Sequence, residues 1–232
     1  MPNQIKAGAI LTYVTLFLNS AIGLLYTPFL TLKLGQAEYG LYSLVASVVG
    51  SLTILDFGFG NALIRYTANL RAKKQEQKLK EMFGMFFVIF CGIALVALII
   101  GLIVYFNTEN LFSRNMTDEE LRKMKIMLLL MIFNLCFTFV MSVYRSIIIA
   151  YERFVFQKVI NLIRIVLNPL VMVIFLCYGY RAITMVVLQT IFNVLTLLAD
   201  YYYCKRKLDI KFVFGKFDFA FLKEVCLYSF WI

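Results

Sequence analysis

The chain has no histidine, which removes the commonest general base, proton shuttle and imidazole metal ligand together. Charged residues make up only 16% of it, against roughly a quarter in a soluble domain. The carboxylates are scattered singly or gathered in one polar connector, so no acid and base pair for catalysis can be assembled from them. No glycine-rich phosphate loop follows a strand pattern, which argues against an ATP-driven motor. The five cysteines, Cys91, Cys136, Cys177, Cys204 and Cys226, fall inside or at the ends of apolar segments. Without paired spacing they read as small apolar residues rather than a disulfide framework or a metal site. No enzymatic activity, cofactor or metal is expected.

What is present is apolar, at 62% of residues. Six segments pass the length test for crossing a bilayer: about 8 to 32, 40 to 64, 83 to 106, 126 to 150, 159 to 178 and 182 to 203. None alternates with period two, and each must satisfy its own backbone in hydrocarbon, so each is predicted to be a helix. The fold class that follows is an all-α integral membrane protein, a six-helix transmembrane bundle over 1–220, with the start of a seventh helix in 221–232. The first segment is longer than a signal-peptide core and lacks a small-x-small cleavage site, so it is expected to stay as an anchor.

A net charge of +10 could suggest nucleic acid, but the basic residues sit in short connectors rather than along one polar face, and no nucleic-acid partner is expected. They act instead as topology signals. One alternate set of loops holds fifteen of them: Lys6; Arg65, Arg71, Lys73, Lys74, Lys78 and Lys80; Arg153 and Lys158; and Lys205, Arg206, Lys207, Lys211, Lys216 and Lys223. The other set holds six: Lys33; Arg114, Arg122, Lys123 and Lys125; and Arg181. The positive-inside rule therefore places the N-terminus in the cytoplasm. In the connector before the fourth segment, Thr117 followed by Asp118, Glu119 and Glu120 reads as a helix N-cap with first-turn acids.

Polar residues inside the segments recur at helical spacing. On the fifth, Gln157, Asn161, Arg164 and Asn168 fall at i, i+4, i+7 and i+11, which is one helix face. The fourth repeats the spacing with Asn134, Thr138, Met141 or Ser142, and Arg145, and the sixth with Gln189, Asn193, Thr196 and Asp200. Weaker stripes mark the first (Thr12, Thr15, Asn19, Tyr26) and the second (Ser43, Ser47, Ser51), while the third is almost free of polar groups. The expectation is a lipid-facing third segment, with the others enclosing a hydrophilic cavity lined by Arg164 and Arg145. Interhelical hydrogen bonding is the rival role for the amides and hydroxyls, and snorkelling to the interface is the rival role for Arg164. Asp56 lies in a glycine-marked stretch, Asp56 to Asn61, where the helix could loosen, and Arg65 is a cation within its reach. Pro28 and Pro169 permit bends.

Three stretches carry a family resemblance. Tyr26-Thr27-Pro28-Phe29-Leu30 with Leu34-Gly35 and Glu38-Tyr39-Gly40-Leu41-Tyr42 resembles the first hairpin of polysaccharide biosynthesis proteins. Asp56 to Tyr66 is similar to the end of that family's second helix, and Ala150 to Lys158 to its loop between helices four and five. These are bacterial lipid-linked oligosaccharide flippases of the O-antigen and teichoic-acid type, in the superfamily that includes multidrug and toxic-compound extrusion pumps. The resemblance implies two six-helix bundles facing each other across a cavity, with this chain as the N-terminal lobe and the second lobe lost by truncation. It also implies a multi-pass protein of the bacterial inner membrane, whose partners are the bilayer, an undecaprenyl-pyrophosphate-linked oligosaccharide and polysaccharide assembly proteins. The residues that would meet that substrate are Arg164, Arg145, Asn161, Asn168, Asn134, Gln189, Asn193, Asp56 and Arg65. Two alternatives stay open: a cation-coupled multidrug exporter of the same superfamily, which calls for an intramembrane carboxylate, and a non-transporting half-length scaffold.

The loop asymmetry gives a direct test. Cysteines introduced at Lys73 and Lys207 should label only from the cytoplasm, and one at Asn115 only from outside. Labelling of position 73 from outside intact cells would overturn the map.

Overall fold

The computed structural model describes residues 2–112 and 116–214, with side chains from Ile10 onward. The seventh helix expected in 221–232, and the position Asn115, lie outside the described residues. Eight helices follow one another with no strand among the described residues: α1 (Pro2–Leu34), α2 (Gln36–Leu52), α3 (Phe59–Ala72), α4 (Glu76–Phe106), α5 (Thr108–Phe112), α6 (Asp118–Ala150), α7 (Phe154–Cys177) and α8 (Ala182–Lys207). Six stretches are long and apolar enough to cross a membrane, namely α1 from Ile10, α2 with α3, α4, α6, α7 and α8. The protein is thus a multi-pass membrane protein built as a six-helix bundle.

The second span is broken where its glycines predicted loosening. A single 3-10 turn, Thr53–Asp56, ends α2, and Phe57 (φ 44°) and Gly58 (φ 74°) take left-handed conformations before α3 begins. Gly58 suits that region because it has no Cβ to clash. Gly35 (φ 81°) makes the turn from α1 to α2 in the same way. Helices also run beyond the apolar segments. α4 and α6 begin several residues early, at Glu76 and Asp118, because Glu, Lys and Gln are good helix formers once outside hydrocarbon. At the start of α6, Thr117 and Glu120 form a reciprocal capping box, an arrangement worth about 1 kcal/mol.

α6 is the hub, packed against α2, α3, α4 and α8, while α1 packs mainly on α7. One apolar cluster surrounds its first half, with Met124, Leu128 and Ile132 meeting Leu41 and Val45 of α2 and Met185 of α8. A second surrounds its last turns, where Val143 and Ile147 meet Leu63 of α3 and Phe83, Phe86 and Phe90 of α4. The third span, expected to face lipid, does not line the groove between α1 and α7, although more of its apolar window is buried (22%) than that of α1 (6%) or α7 (11%). α4 does turn Leu95, Val96, Ile99 and Ile103 outward, but Ala94, Ala97 and Gly101 let its other side approach α6 closely. A Cβ added at Gly101 would stand 2.8 Å from the Ile132 side chain.

At the end of the bundle remote from the basic loops, Glu38 ties three helices together. Its carboxylate lies 3.1 Å from Lys123 of α6 and 3.8 Å from Arg181, and accepts the Ala182 N–H at 3.4 Å. Glu38 is 14% exposed, whereas Glu119, which also pairs with Lys123, is 79% exposed. Replacing Glu38 by Gln should therefore lower stability by about 1–2 kcal/mol. Glu119→Gln should stay within about 0.5 kcal/mol, as solvent-screened pairs do. Thermal unfolding of both variants in detergent checks the difference, and equal losses would remove the role assigned to Glu38.

Candidate functional site

The polar stripes on α6 and α8 face each other. Asn193 Nδ2 donates to Asn134 Oδ1 and to Thr138 Oγ1, each at 2.7 Å. Further toward the basic end, Arg145 Nε stands 3.7 Å from Asp200 Oδ2. Asp200 is almost wholly buried and its Oδ2 has no hydrogen-bond partner among the described residues, so the ion pair is its compensation. Gln189, at the other end of the stripe, accepts the Tyr42 hydroxyl of α2 at 2.9 Å. Asn134, Asn193 and Gln189 thus work in helix contacts, the rival role weighed for such residues. The three stripes do not enclose one common cavity.

The α7 stripe is different. Asn161, Arg164 and Asn168 open, with Pro169, onto a groove of about 450 Å3 whose other wall is α1, through Asn19, Gly23 and Tyr26. Pro169 cannot donate a backbone hydrogen bond. Tyr26 closes one end by donating from its hydroxyl to Met172 Sδ at 2.8 Å. Arg164 makes no hydrogen bond or ion pair with any described residue, and Asn168 Oδ1 is buried without a partner among them. Because α7 begins at Phe154, Arg164 is about 15 Å along the helix at 1.5 Å per residue.

Arg145 links the two regions. It is within electrostatic range of Arg164, its side chain is 41% exposed, and its carbonyl accepts the Gln157 side chain of α7 at 3.1 Å. Arg145 is thus compensated by the buried Asp200, whereas Arg164 has no counter-charge among the described residues. Planar guanidinium donors in this state suit an anion with several oxygens, phosphate above all.

Asp56 and Arg65 belong elsewhere. Asp56 ends the turn between α2 and α3, where its carboxylate accepts the Gly58 N–H, and Arg65 is exposed on α3. The α2 hydroxyls Ser47 and Ser51 are exposed and donate to carbonyls of their own helix, at 2.9 Å to Ser43 and 2.7 Å to Val48. Sequence reasoning did not single out Glu38 or the pairing of Tyr42 with Gln189. An acid at a helix start reads as a dipole partner, and a tyrosine in an apolar run reads as packing.

A membrane bundle of six long helices agrees with the comparison to protein families. No curated protein and no solved structure matches the chain significantly. A family model described as polysaccharide biosynthesis protein matches residues 5–232, nearly the full sequence, and the chain belongs to that family.

Proposed function

We propose that this bundle is the N-terminal lobe of a flippase that moves an undecaprenyl-pyrophosphate-linked oligosaccharide from the cytoplasmic to the outer leaflet for cell-surface polysaccharide synthesis. The reading makes it a transporter rather than an enzyme, in the inner membrane of a bacterium, with its basic end in the cytoplasm. The observation that carries it is Arg164, an arginine ten residues into a helix long and apolar enough to span, with no counter-charge among the described residues. Charged groups in such positions are costly and mark substrate pathways. Arg164 would grip the pyrophosphate, Asn161 and Asn168 would offer amide contacts beside it, and Arg145 would add long-range attraction.

The groove lies between α1 and α7, the two least covered spans. A second lobe facing them would close it into a cavity, and rocking of one lobe against the other would give alternating access. The cation-coupled exporter has less support, because Asp200, the buried carboxylate such coupling would call on, is already engaged by Arg145.

In the transporter that carries this lobe, Arg164→Ala should reduce flipping at least a hundredfold while membrane abundance stays near normal, since the side chain has few partners to lose. Arg164→Lys should recover only part of the activity, because an ammonium lacks the planar fork that holds two phosphate oxygens. If Arg164 only snorkels to the interface, lysine should substitute fully. Accumulation of lipid-linked oligosaccharide, measured beside protein abundance, separates these outcomes, and full activity of the alanine variant would end the assignment.

A further inference from the structure

A second cavity, of about 540 Å3, opens at the basic end of the bundle between the α3–α4 turn, Tyr151 at the end of α6, and the segment that follows α8. It shares no lining residue with the α1–α7 groove. Its floor is apolar, formed by Leu79 and Phe83 of α4, both buried, with Ile210. Its rim is cationic: Arg71, Lys74, Lys80 and Lys211 stand against two carboxylates, Glu76 and Asp209. Asp209 is taken by Lys211 at 3.7 Å, and neither Lys74 nor Lys80 has an ion-pair partner among the described residues.

The rim is held in shape by its own contacts. Arg71 donates to the Ala150 carbonyl at 3.0 Å and lies 3.9 Å over the Tyr151 ring. Past α8 the chain is strapped down, with the Val213 N–H donating to the Lys80 carbonyl at 3.2 Å. Phe212 packs there against Phe83, Phe87 and Tyr144. Gly84 permits this approach, since a Cβ there would collide with the Val213 carbonyl. Two rim residues, Lys74 (φ 55°) and Asp209 (φ 46°), are non-glycine residues in left-handed conformation. Such strain persists only where surrounding structure enforces it.

We propose that this pocket binds the phosphate of an anionic phospholipid headgroup. Cations around an apolar floor at the ends of membrane helices match the boundary between headgroup and acyl chain. The phosphate oxygens would meet Lys74, Lys80 and Arg71, and the first methylenes of the lipid would meet the apolar floor. Basic pockets of this kind at the cytoplasmic side recognise acidic lipids. The assignment does not depend on the flippase reading, because the pocket is separate from the groove that carries it.

Native mass spectrometry of the purified full chain in detergent tests it, with dioctanoyl phosphatidylglycerol and dioctanoyl phosphatidylcholine as probes. The wild type should hold phosphatidylglycerol at least tenfold more tightly than phosphatidylcholine. The K74Q/K80Q/K211Q variant should lose that preference, whereas K74R/K80R/K211R, and K205Q outside the pocket, should keep it. Should the triple Gln variant melt well below the wild type in detergent, K74Q alone should still weaken phosphatidylglycerol binding about threefold. Equal binding of the two lipids, or an unchanged preference in a folded Gln variant, overturns the proposal. Displacement of phosphatidylglycerol by equimolar inorganic pyrophosphate also overturns it, by assigning the pocket to a free phosphate instead of a lipid.

Discussion

Asn193 of α8 is fastened by one amide nitrogen to Asn134 and Thr138 of α6, and Asp200 is compensated further along by Arg145. In water such contacts would be secondary to the burial of apolar surface. In a bilayer the lipid tails are as apolar as the side chains, so close packing and interhelical hydrogen bonds must set which helix faces which. The buried Asp200 makes the register of α8 on α6 hard to alter, because a carboxylate separated from its cation in the interior costs about 3–5 kcal/mol. α8 in turn carries α7, and α7 carries α1. The wall that presents Arg164 is thus positioned at two removes by a polar seam that does not itself touch the groove.

This arrangement divides polar residues of identical spacing into two kinds. Those on α6 and α8 are engaged mostly in helix contacts, with one another and, for Gln189, with Tyr42 of α2, and their contribution is architecture. On α7, Gln157 bonds the Arg145 carbonyl of α6, but Asn161, Arg164 and Asn168 face α1, whose polar residues along the groove are Asn19 and Tyr26. Tyr26 spends its donor on Met172. Among the described residues, the result is a guanidinium without an acceptor and an amide oxygen without a donor, Arg164 and Asn168, on one wall. Arg145 sharpens the contrast, since its charge is compensated on one side by Asp200 and acts on Arg164 on the other.

Much of this was legible in the sequence, and the limits have physical causes. Segment length and apolarity located every span, because the bilayer thickness imposes them. The Thr117 capping box and the break after Asp56 were visible because cap and glycine chemistry is local. The partner of a stripe was not visible. Period 3.6 shows that Asn134, Thr138 and Arg145 share a face, but not whether that face meets a helix, lipid or water. Helix ends lie beyond the apolar segments where charged residues continue the helix past the hydrocarbon, as in α4 from Glu76. Glu38 escaped notice because its partners, Lys123 and Arg181, are distant in sequence and its own context is a plain helix start.

α4 shows why absence of polarity is a poor guide to position. It has almost no polar residue, and its inner side is drawn against α6 chiefly by close fit. Ala94, Ala97 and Gly101 recur on one face, and their small size brings the Cys136 thiol of α6 within 3.4 Å of the Ala94 carbonyl. Dispersion over many close atom pairs replaces the hydrogen bonds that join α6 to α8. The hub helix is therefore held on one side by polar specificity and on the other by close fit, and neither side of it faces the groove. That leaves α1 and α7, the spans with the least packing of their own, as the elements free to present a charge.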